Sequence, residues 1–392
     1  MQFLICFFSQ GKVSIRTSTD PVGAPIFYRD VPLMPSETEK GIIKPLPNEA
    51  IKLIRWRVLN IGEAESRVVL KDMPTCANCH SFSLDGKTMG MDLDGPQNDK
   101  GLYAIAPVSP RVTIDSQNIV SWNPTQDRQV GLNRVGFMSQ LSPDGKYVIT
   151  KSADNMIHLW DISRGTETTL IKDTSVEGLG VVAFSPDMQY VASGRLTSNG
   201  DVHLLEVNTG NEKFHKTINA PVYSIAYSPE GKYIAVGGAD NVVHILDAET
   251  GNEVASLPHE GIVRALSFSV DSKFVASGSD DKTARVWDLS TRKEVARIAY
   301  EIAISSVAFG PDNKYLAVGG CENYERPYCY QGSTVVSLWQ PADLANKACE
   351  FATRNLTRNE WEQYIGDALP YQAVCESLPI EPEATTAPAV SP

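Results

Sequence analysis

The stretch Phe268-Ser-Val-Asp-Ser-Lys-Phe-Val-Ala-Ser-Gly-Ser-Asp-Asp-Lys-Thr-Ala-Arg-Val-Trp-Asp288 decides the fold. It reads as the end of one strand, a tight turn, an apolar strand, a polar turn and a third strand closing on Trp287-Asp288. Its first eight positions recur as Leu141-Ser-Pro-Asp-Gly-Lys-Tyr-Val148, Phe184-Ser-Pro-Asp-Met-Gln-Tyr-Val191, Tyr227-Ser-Pro-Glu-Gly-Lys-Tyr-Ile234 and Phe309-Gly-Pro-Asp-Asn-Lys-Tyr-Leu316. The second positions are spaced by 43, 43, 41 and 41 residues. A weaker copy is Phe82-Ser-Leu-Asp-Gly-Lys-Thr-Met89. Proline presets φ in the turn and the acidic side chain bonds the backbone two residues on, so each copy reverses the chain between two strands. A Thr-Gly or Arg-Gly turn (Arg164-Gly165, Thr209-Gly210, Thr250-Gly251) then leads to a fourth strand. Four short strands per forty-odd residues make a propeller blade.

With these residues in view, the chain resembles the WD40 family over about residues 135–343. The resemblance implies an all-β, single WD40-type β-propeller. In the best copy the family's polar tetrad falls on His259, Ser277, Asp281 and Trp287, a structural set that ties loops to strands by hydrogen bonds. The other blades lack the histidine, and some also lack the tryptophan; those are expected to be held by packing.

Upstream, Val13-Ser-Ile-Arg16, Pro25-Ile-Phe-Tyr-Arg-Asp-Val31, Ile51-Lys-Leu-Ile-Arg-Trp-Arg-Val58 and Arg67-Val-Val-Leu70 read as four strands, enough for one more blade. Seven blades are therefore expected, with six as the alternative. The last copy has no fourth strand of its own. Residues 3–8, apolar over one strand length and without the basic flank or cleavage site of a secretory signal, are expected to supply it. The organisation read from the chain is a propeller over 1–343, comprising closing strand and first blade (1–75), a second blade (76–134) and five WD40 repeats (135–343). A helical cap (344–379) and a disordered Pro/Ala/Thr-rich tail (380–392) follow. Thr357-Arg-Asn-Glu360 is a capping box opening a helix that stops at Gly366. The stretch from Ala348 to Cys375 is similar to the short C-terminal cap of WD40 arrays in bacterial signalling NTPases.

Seven cysteines fall into three sequence-local pairs, with Cys6 left over. Cys349 and Cys375 are expected close together in the cap. Cys321 and Cys329 flank a loop insertion in the last blade and could staple it. Both pairs could be disulfides or free thiols. Local pairing points to an extracytoplasmic or periplasmic compartment in preference to the cytoplasm.

One motif carries chemistry. Cys76-Ala-Asn-Cys79-His80 has the spacing by which two thiols attach haem c and the adjacent His80 ligates its iron. The alternative is a structural role for all three residues. The surrounding strings Pro21-Val-Gly-Ala-Pro-Ile-Phe-Tyr-Arg-Asp-Val-Pro32, Cys76-Ala-Asn-Cys-His-Ser-Phe-Ser83 and Asp94-Gly-Pro-Gln-Asn-Asp-Lys-Gly-Leu-Tyr103 resemble TolB-like extracytoplasmic propeller proteins that carry this motif. That resemblance implies covalent haem in an electron-transfer or sensing protein, with Met73, Met89, Met91 or Met138 as candidate sixth ligands.

No nucleophile elbow, zinc-protease, phosphate-loop or dinucleotide motif occurs, so no enzyme is expected. His158, His203 and His244 recur at equivalent third-strand positions and read as packing residues. A net charge of −12 without a basic cluster argues against nucleic acid, and no segment is long and apolar enough to span a membrane. The expected function is a monomeric scaffold binding other proteins through variable loops at 94–100, 195–201, 239–241 and 321–332, with Arg264, Tyr223 and Phe137 facing the channel.

Overall fold

The computed structural model describes residues 14–16, 25–30, 55–60, 67–70, 77–83, 87–93, 102–108, 114, 118–121, 137–151, 156–172, 180–325, 328–364 and 370–380. Two compact units are formed, Met1–Ser337 and Leu338–Pro392.

The first unit is a β-propeller. Its strands begin with β1 (Ser14–Arg16), β2 (Pro25–Asp30), β3 (Arg55–Asn60) and β4 (Arg67–Leu70). Blade 1 is β5 (Ala77–Phe82), β6 (Thr88–Leu93), β7 (Leu102–Pro107) and β8 (Ile119–Ser121). Blade 2 is β9 (Phe137–Leu141), β10 (Tyr147–Lys151), β11 (Met156–Asp161) and β12 (Thr166–Lys172). Blade 3 is β13 (Gly180–Phe184), β14 (Tyr190–Arg195), β15 (Asp201–Glu206) and β16 (Glu212–Thr217). Blade 4 is β17 (Val222–Tyr227), β18 (Tyr233–Gly238), β19 (Val242–Asp247) and β20 (Glu253–Pro258). Blade 5 is β21 (Val263–Phe268), β22 (Phe274–Ser279), β23 (Thr283–Asp288) and β24 (Lys293–Ala299). Blade 6 is β25 (Ala303–Phe309), β26 (Tyr315–Glu325) and β27 (Tyr328–Leu338), with β1 as its outermost strand.

The expected seven blades are thus corrected to six of four strands. The reason is the fate of Ser14–Arg16. It pairs in parallel with β27, Ser14 opposite Ser333 and Arg16 opposite Val335, instead of completing the N-terminal blade. That leaves β2, β3 and β4 as a three-stranded sheet. A strand from the N-terminal side therefore does complete the last blade, although residues 3–8, expected in that place, lie outside the described residues. Within blade 6 the expected loop between Cys321 and Cys329 is also corrected. The strands continue to Glu325 and resume at Tyr328, forming a long hairpin.

Each repeat folds as its motif dictates. The serine of Ser-Pro-Asp accepts the amide that opens the next strand, at 2.9 Å from Tyr147 to Ser142, Tyr190 to Ser185, Tyr233 to Ser228 and Phe274 to Ser269. The fifth motif residue takes a left-handed conformation in the five clear copies: Gly145, Met188, Gly231, Ser272 and Asn313, with φ between 57° and 78°. Two of these residues also reach the preceding blade, since Ser272 Oγ accepts from Glu230 N at 3.2 Å and Asn313 Oδ1 from Val270 N at 2.8 Å.

The core is radial. One cluster joins Ala183, Ala192 and Leu204 of blade 3 to Val222, Ile234, Val236 and Leu246 of blade 4; another joins Val243 and Ile245 to Val263, Val275 and Trp287. No blade hides its apolar faces alone, so each needs its neighbour. Gly278 marks how closely they approach, because a Cβ there would lie 2.5 Å from Ile304 Cγ2 of the next blade.

The second unit contains α1 (Pro341–Phe351) and α2 (Arg358–Tyr364). The capping box forms as read: Glu360 N donates to Thr357 Oγ1 at 3.2 Å and Thr357 N to Glu360 Oε2 at 2.8 Å. Cys349 and Cys375 are joined in a disulfide. Buried Asn355 accepts from the amides of Val374 and Cys375 and donates to the carbonyls of Cys375 and Leu378. Gly366 and residues 381–392 lie outside the described residues.

Candidate interaction face

Antiparallel pairing fixes which loops share a face. Val222 lies opposite Gly238 and Val263 opposite Ser279, so the head of each innermost strand meets the turn between the second and third strands. The Ser-Pro-Asp turns lie at the other face.

In blade 5 this loop face is locked by the four tetrad residues, which the fold brings together. His259 Nδ1 lies 2.9 Å from Asp281 Oδ2, His259 Nε2 lies 2.7 Å from Ser277 Oγ, and Trp287 Nε1 donates to the same oxygen at 2.8 Å. One neutral tautomer satisfies the chain, with Nδ1–H donating to the carboxylate and Nε2 accepting from the hydroxyl. Burial holds the His259 pKa below its ordinary value against the pull of Asp281. Asp281 also accepts from Glu260 N and Thr283 N; burial disfavours its charge, but bonds from the Thr283 hydroxyl, His259 and Thr283 N outweigh it and hold the carboxyl below the usual range. Beneath it, the nearly inaccessible Arg285 donates to Asp281 and Glu260 and to the Pro258 carbonyl.

Blade 4 solves the same problem with hydrocarbon. Ile218, Val236 and Leu246 stand at the repeat positions of His259, Ser277 and Trp287, and all three belong to one buried cluster. In blade 3 the equivalent Ser193 accepts instead from the buried Lys151 ammonium of blade 2, at 3.0 Å.

At the heads of the innermost strands, Arg264 of β21 donates to both oxygens of Asp280, with Nη2 to Oδ2 at 2.7 Å. Its guanidinium carbon lies 4.4 Å from the ring centre of Tyr223, the equivalent residue of β17. Burial disfavours the charge, but the Asp280 bonds outweigh it and hold the pKa above the ordinary value. Both side chains of the ion pair are about one-third exposed. Phe137 heads β9 at the corresponding position. Among the expected loops, 195–201 is closed on itself by Arg195, which donates to Asp201 and to the Asn199 carbonyl. The 239–241 turn places Asn241 at φ 67°. Residues 94–100 lie outside the described residues.

The reading of His158, His203 and His244 as packing residues is corrected. Each Nδ1 meets a glutamate on the adjacent outer strand: Glu167 at 2.6 Å, Glu212 at 2.5 Å and Glu253 at 2.9 Å. Arg285 with Glu294, at 3.5 Å, is the same rung in blade 5. The sequence does carry a signal for this, because in all four repeats the glutamate follows the basic residue by nine positions.

Of the Cys-x-x-Cys-His motif, Cys79 and His80 lie on β5, with His80 opposite Met91 and a register shift between Ala77 and His80. Cys76 lies outside the described residues. Met89 and Met91 of β6 are core residues. Cys321 and Cys329 lie on β26 and β27. Among the described residues no group of three or more His, Cys, Asp or Glu is arranged to hold a metal ion, and no helix is long and apolar enough to cross a membrane.

Comparison with known proteins agrees with this architecture. The WD domain, G-beta repeat, matches residues 133–161 and 251–288, and the anaphase-promoting complex subunit 4 WD40 domain matches residues 183–262. The chain is 28% identical over 132 residues to WD repeat-containing protein SL1-17 of Schistosoma mansoni, covering 32% of this chain and 43% of that protein. It is 31% identical over 98 residues to pre-mRNA-processing factor 19 of Dictyostelium discoideum, covering 25% and 18%. It is 33% identical over 106 residues to telomerase protein component 1 of Mus musculus, covering 26% and 4%. The matched region thus spans less than half the length of each relative. The chain carries WD40 repeats in a β-propeller.

Proposed function

We propose that this propeller is a non-enzymatic scaffold that binds another protein on its loop face, centred on Arg264, Tyr223 and Asp280. The observation that carries the reading is Arg264, about one-third exposed, held over an aromatic ring and fixed by a bidentate carboxylate. Arginine and tyrosine are the residue types that concentrate binding energy in protein interfaces, and here ordering them costs little because they are already held. The match to a domain named for a subunit of a multiprotein complex supports the same reading. The partner is a protein and not nucleic acid, in keeping with the net charge of −12. The test is affinity capture with the wild-type chain and with Arg264→Glu. Loss of a specific protein from the variant, with unchanged thermal stability, supports the proposal. An identical set captured by both chains overturns it.

A second reading is supported by the spacing of Cys76-Ala-Asn-Cys79-His80, whose Cys79 and His80 lie on innermost strand β5. In that reading the thiols of Cys76 and Cys79 attach haem c, His80 ligates the iron, and the chain is an extracytoplasmic redox or sensing protein. Expression with a secretion signal and a haem-maturation system tests it. A Soret band that survives acid–acetone extraction and disappears in Cys76→Ser supports haem; a colourless protein removes it.

A further inference from the structure

His244 lies between two carboxylates on both sides of its ring. Nδ1 is 2.9 Å from Glu253 Oε1 on outer strand β20, and Nε2 is 2.7 Å from Asp240 Oδ2 in the turn between β18 and β19. An ionised carboxylate only accepts hydrogen bonds, so both ring nitrogens must donate and the ring must be the imidazolium. This differs in kind from His259, whose second partner is a hydroxyl able to supply its own proton.

The groups around the pair close the network. Glu253 also accepts from Ser256 Oγ on its own strand and lies 3.1 Å from Lys216 Nζ on β16 of blade 3. Asp240 receives Val242 N at 3.3 Å on its other oxygen. On the inner side the residue opposite His244 is the apolar Val236. Among the described residues no further charged group contacts the ring, and its side chain keeps 15% of its surface exposed, enough for proton exchange with water.

We propose that His244 is a proton-operated clamp that fastens the 239–241 turn of the loop face to the outer edge of blade 4, and that deprotonation frees the turn. The neutral ring has one N–H for two carboxylates, so one bond is lost and a ring lone pair is left facing a negative oxygen. The two contacts are unequal in consequence. Glu253 keeps Ser256 and Lys216 when the histidine leaves it, whereas Asp240 keeps only a local backbone amide. The turn therefore opens on the Asp240 side, at Ala239, whose N–H donates to the Pro221 carbonyl, and at Asn241, whose carbonyl accepts from His259 N. The same repeat position in blade 5 is Arg285, a permanent cation that also joins the second-to-third-strand turn to the outer strand through Asp281 and Glu294. Blade 4 thus carries the titratable version of a contact that blade 5 holds at every physiological pH.

This inference rests on the loop-face reading only for its consequence, pH control of what docks there; the clamp itself is tested without a partner. The full chain is labelled with 15N-histidine and its ring nitrogens are followed from pH 6 to 9. Amide exchange protection of Ala239, Asn241 and Val242 is measured alongside and corrected for intrinsic rates. The expected result is a doubly protonated His244 at pH 6.5. Protection of the turn should fall about tenfold as the ring titrates, the worth of one charge-assisted hydrogen bond. His244→Arg, copying blade 5, should hold protection constant across the range. A His244 that is neutral at pH 6.5, or turn protection unchanged through its titration, overturns the proposal, and both readouts come from the wild-type chain even if the variant folds poorly. A chain with a working clamp that captures no partner at either pH would instead count against the scaffold reading.

Discussion

The guanidinium of Arg264 lies 4.4 Å from the ring centre of Tyr223, and the two residues occupy the same position in consecutive repeats. The contact joins two blades at the heads of their innermost strands. Because Arg264 is also held by Asp280, the pair is a fixed surface feature and not a mobile side chain on a loop. Tyr223→Ala should therefore lower stability by only about 0.5–1 kcal/mol, the size of a partly exposed cation–π contact, while changing partner capture. Denaturant unfolding beside the capture assay checks both halves.

Blades 4 and 5 should respond differently to equivalent truncations. Leu246→Ala removes a fully buried side chain from the hydrocarbon lock and should cost about 2–5 kcal/mol. Trp287→Phe keeps most of the apolar volume but removes the donor to Ser277, and should cost about 1–2 kcal/mol. Chemical denaturation of the two variants gives the order.

The turn serine can be tested by removal and by addition. Ser228→Ala loses the acceptor for Tyr233 N and should destabilise by about 1 kcal/mol. Gly310 occupies the serine position in the last copy, where a Cβ would meet the movable Asp312 carboxylate at 3.2 Å. Gly310→Ser should stabilise by about 0.5–1 kcal/mol, by supplying the missing acceptor and restricting the unfolded chain. A melting temperature below wild type would contradict this.

Histidine titrations should run in a set order. His259, held below its ordinary value by burial, contributes stability above the unfolded pKa of about 6.5, and that contribution is lost as pH falls through the folded value. His244 is disfavoured as a cation by burial but raised further by Asp240 and Glu253. Its contribution is complete below about 6.5 and lost as pH rises through the folded value. Glu253 is penalised by burial, but its bonds to Ser256, His244 and Lys216 bring it down to about 2. Its share is present above about 4.5 and lost as pH falls towards 2. NMR titration should find His259 below His244.

The second unit has its own redox test. The Cys349–Cys375 disulfide spans a sequence separation of 26 residues around the Asn355 hub. Reduction should destabilise this unit by about 3 kcal/mol and expose it to proteolysis. Peptide mapping after mild proteolysis with and without reductant reads the difference.

How far these features were legible depends on where their partners lie in the chain. The Ser-Pro-Asp turn and the capping box are legible because each is written within a few residues in a fixed spacing, whereas the tetrad came from the resemblance to WD40 repeats. The blade count was not legible: Ser14–Arg16 reads correctly as a strand, but nothing local says that its partner is β27 at the far end of the propeller. The stretch between Cys321 and Cys329 reads as a loop insertion, whereas pairing of β26 with β27 carries the strands to Glu325 and on from Tyr328. His158, His203 and His244 looked like packing residues because their glutamates lie on the next strand, where only the nine-residue spacing betrays them. Arg264 and Tyr223 were singled out as innermost-strand residues facing the channel, but nothing in the sequence named Asp280 as the anchor of Arg264.

On the scaffold proposal, a protein partner docks on the face headed by Tyr223 and Arg264. Its most direct test is a photo-crosslinking amino acid placed at Tyr223 on that face or, for comparison, at Lys273 in the turn at the opposite face. We expect a specific crosslinked protein from position 223 and none from position 273. Equal crosslinking from both positions, or crosslinking from 273 alone, would contradict the claim.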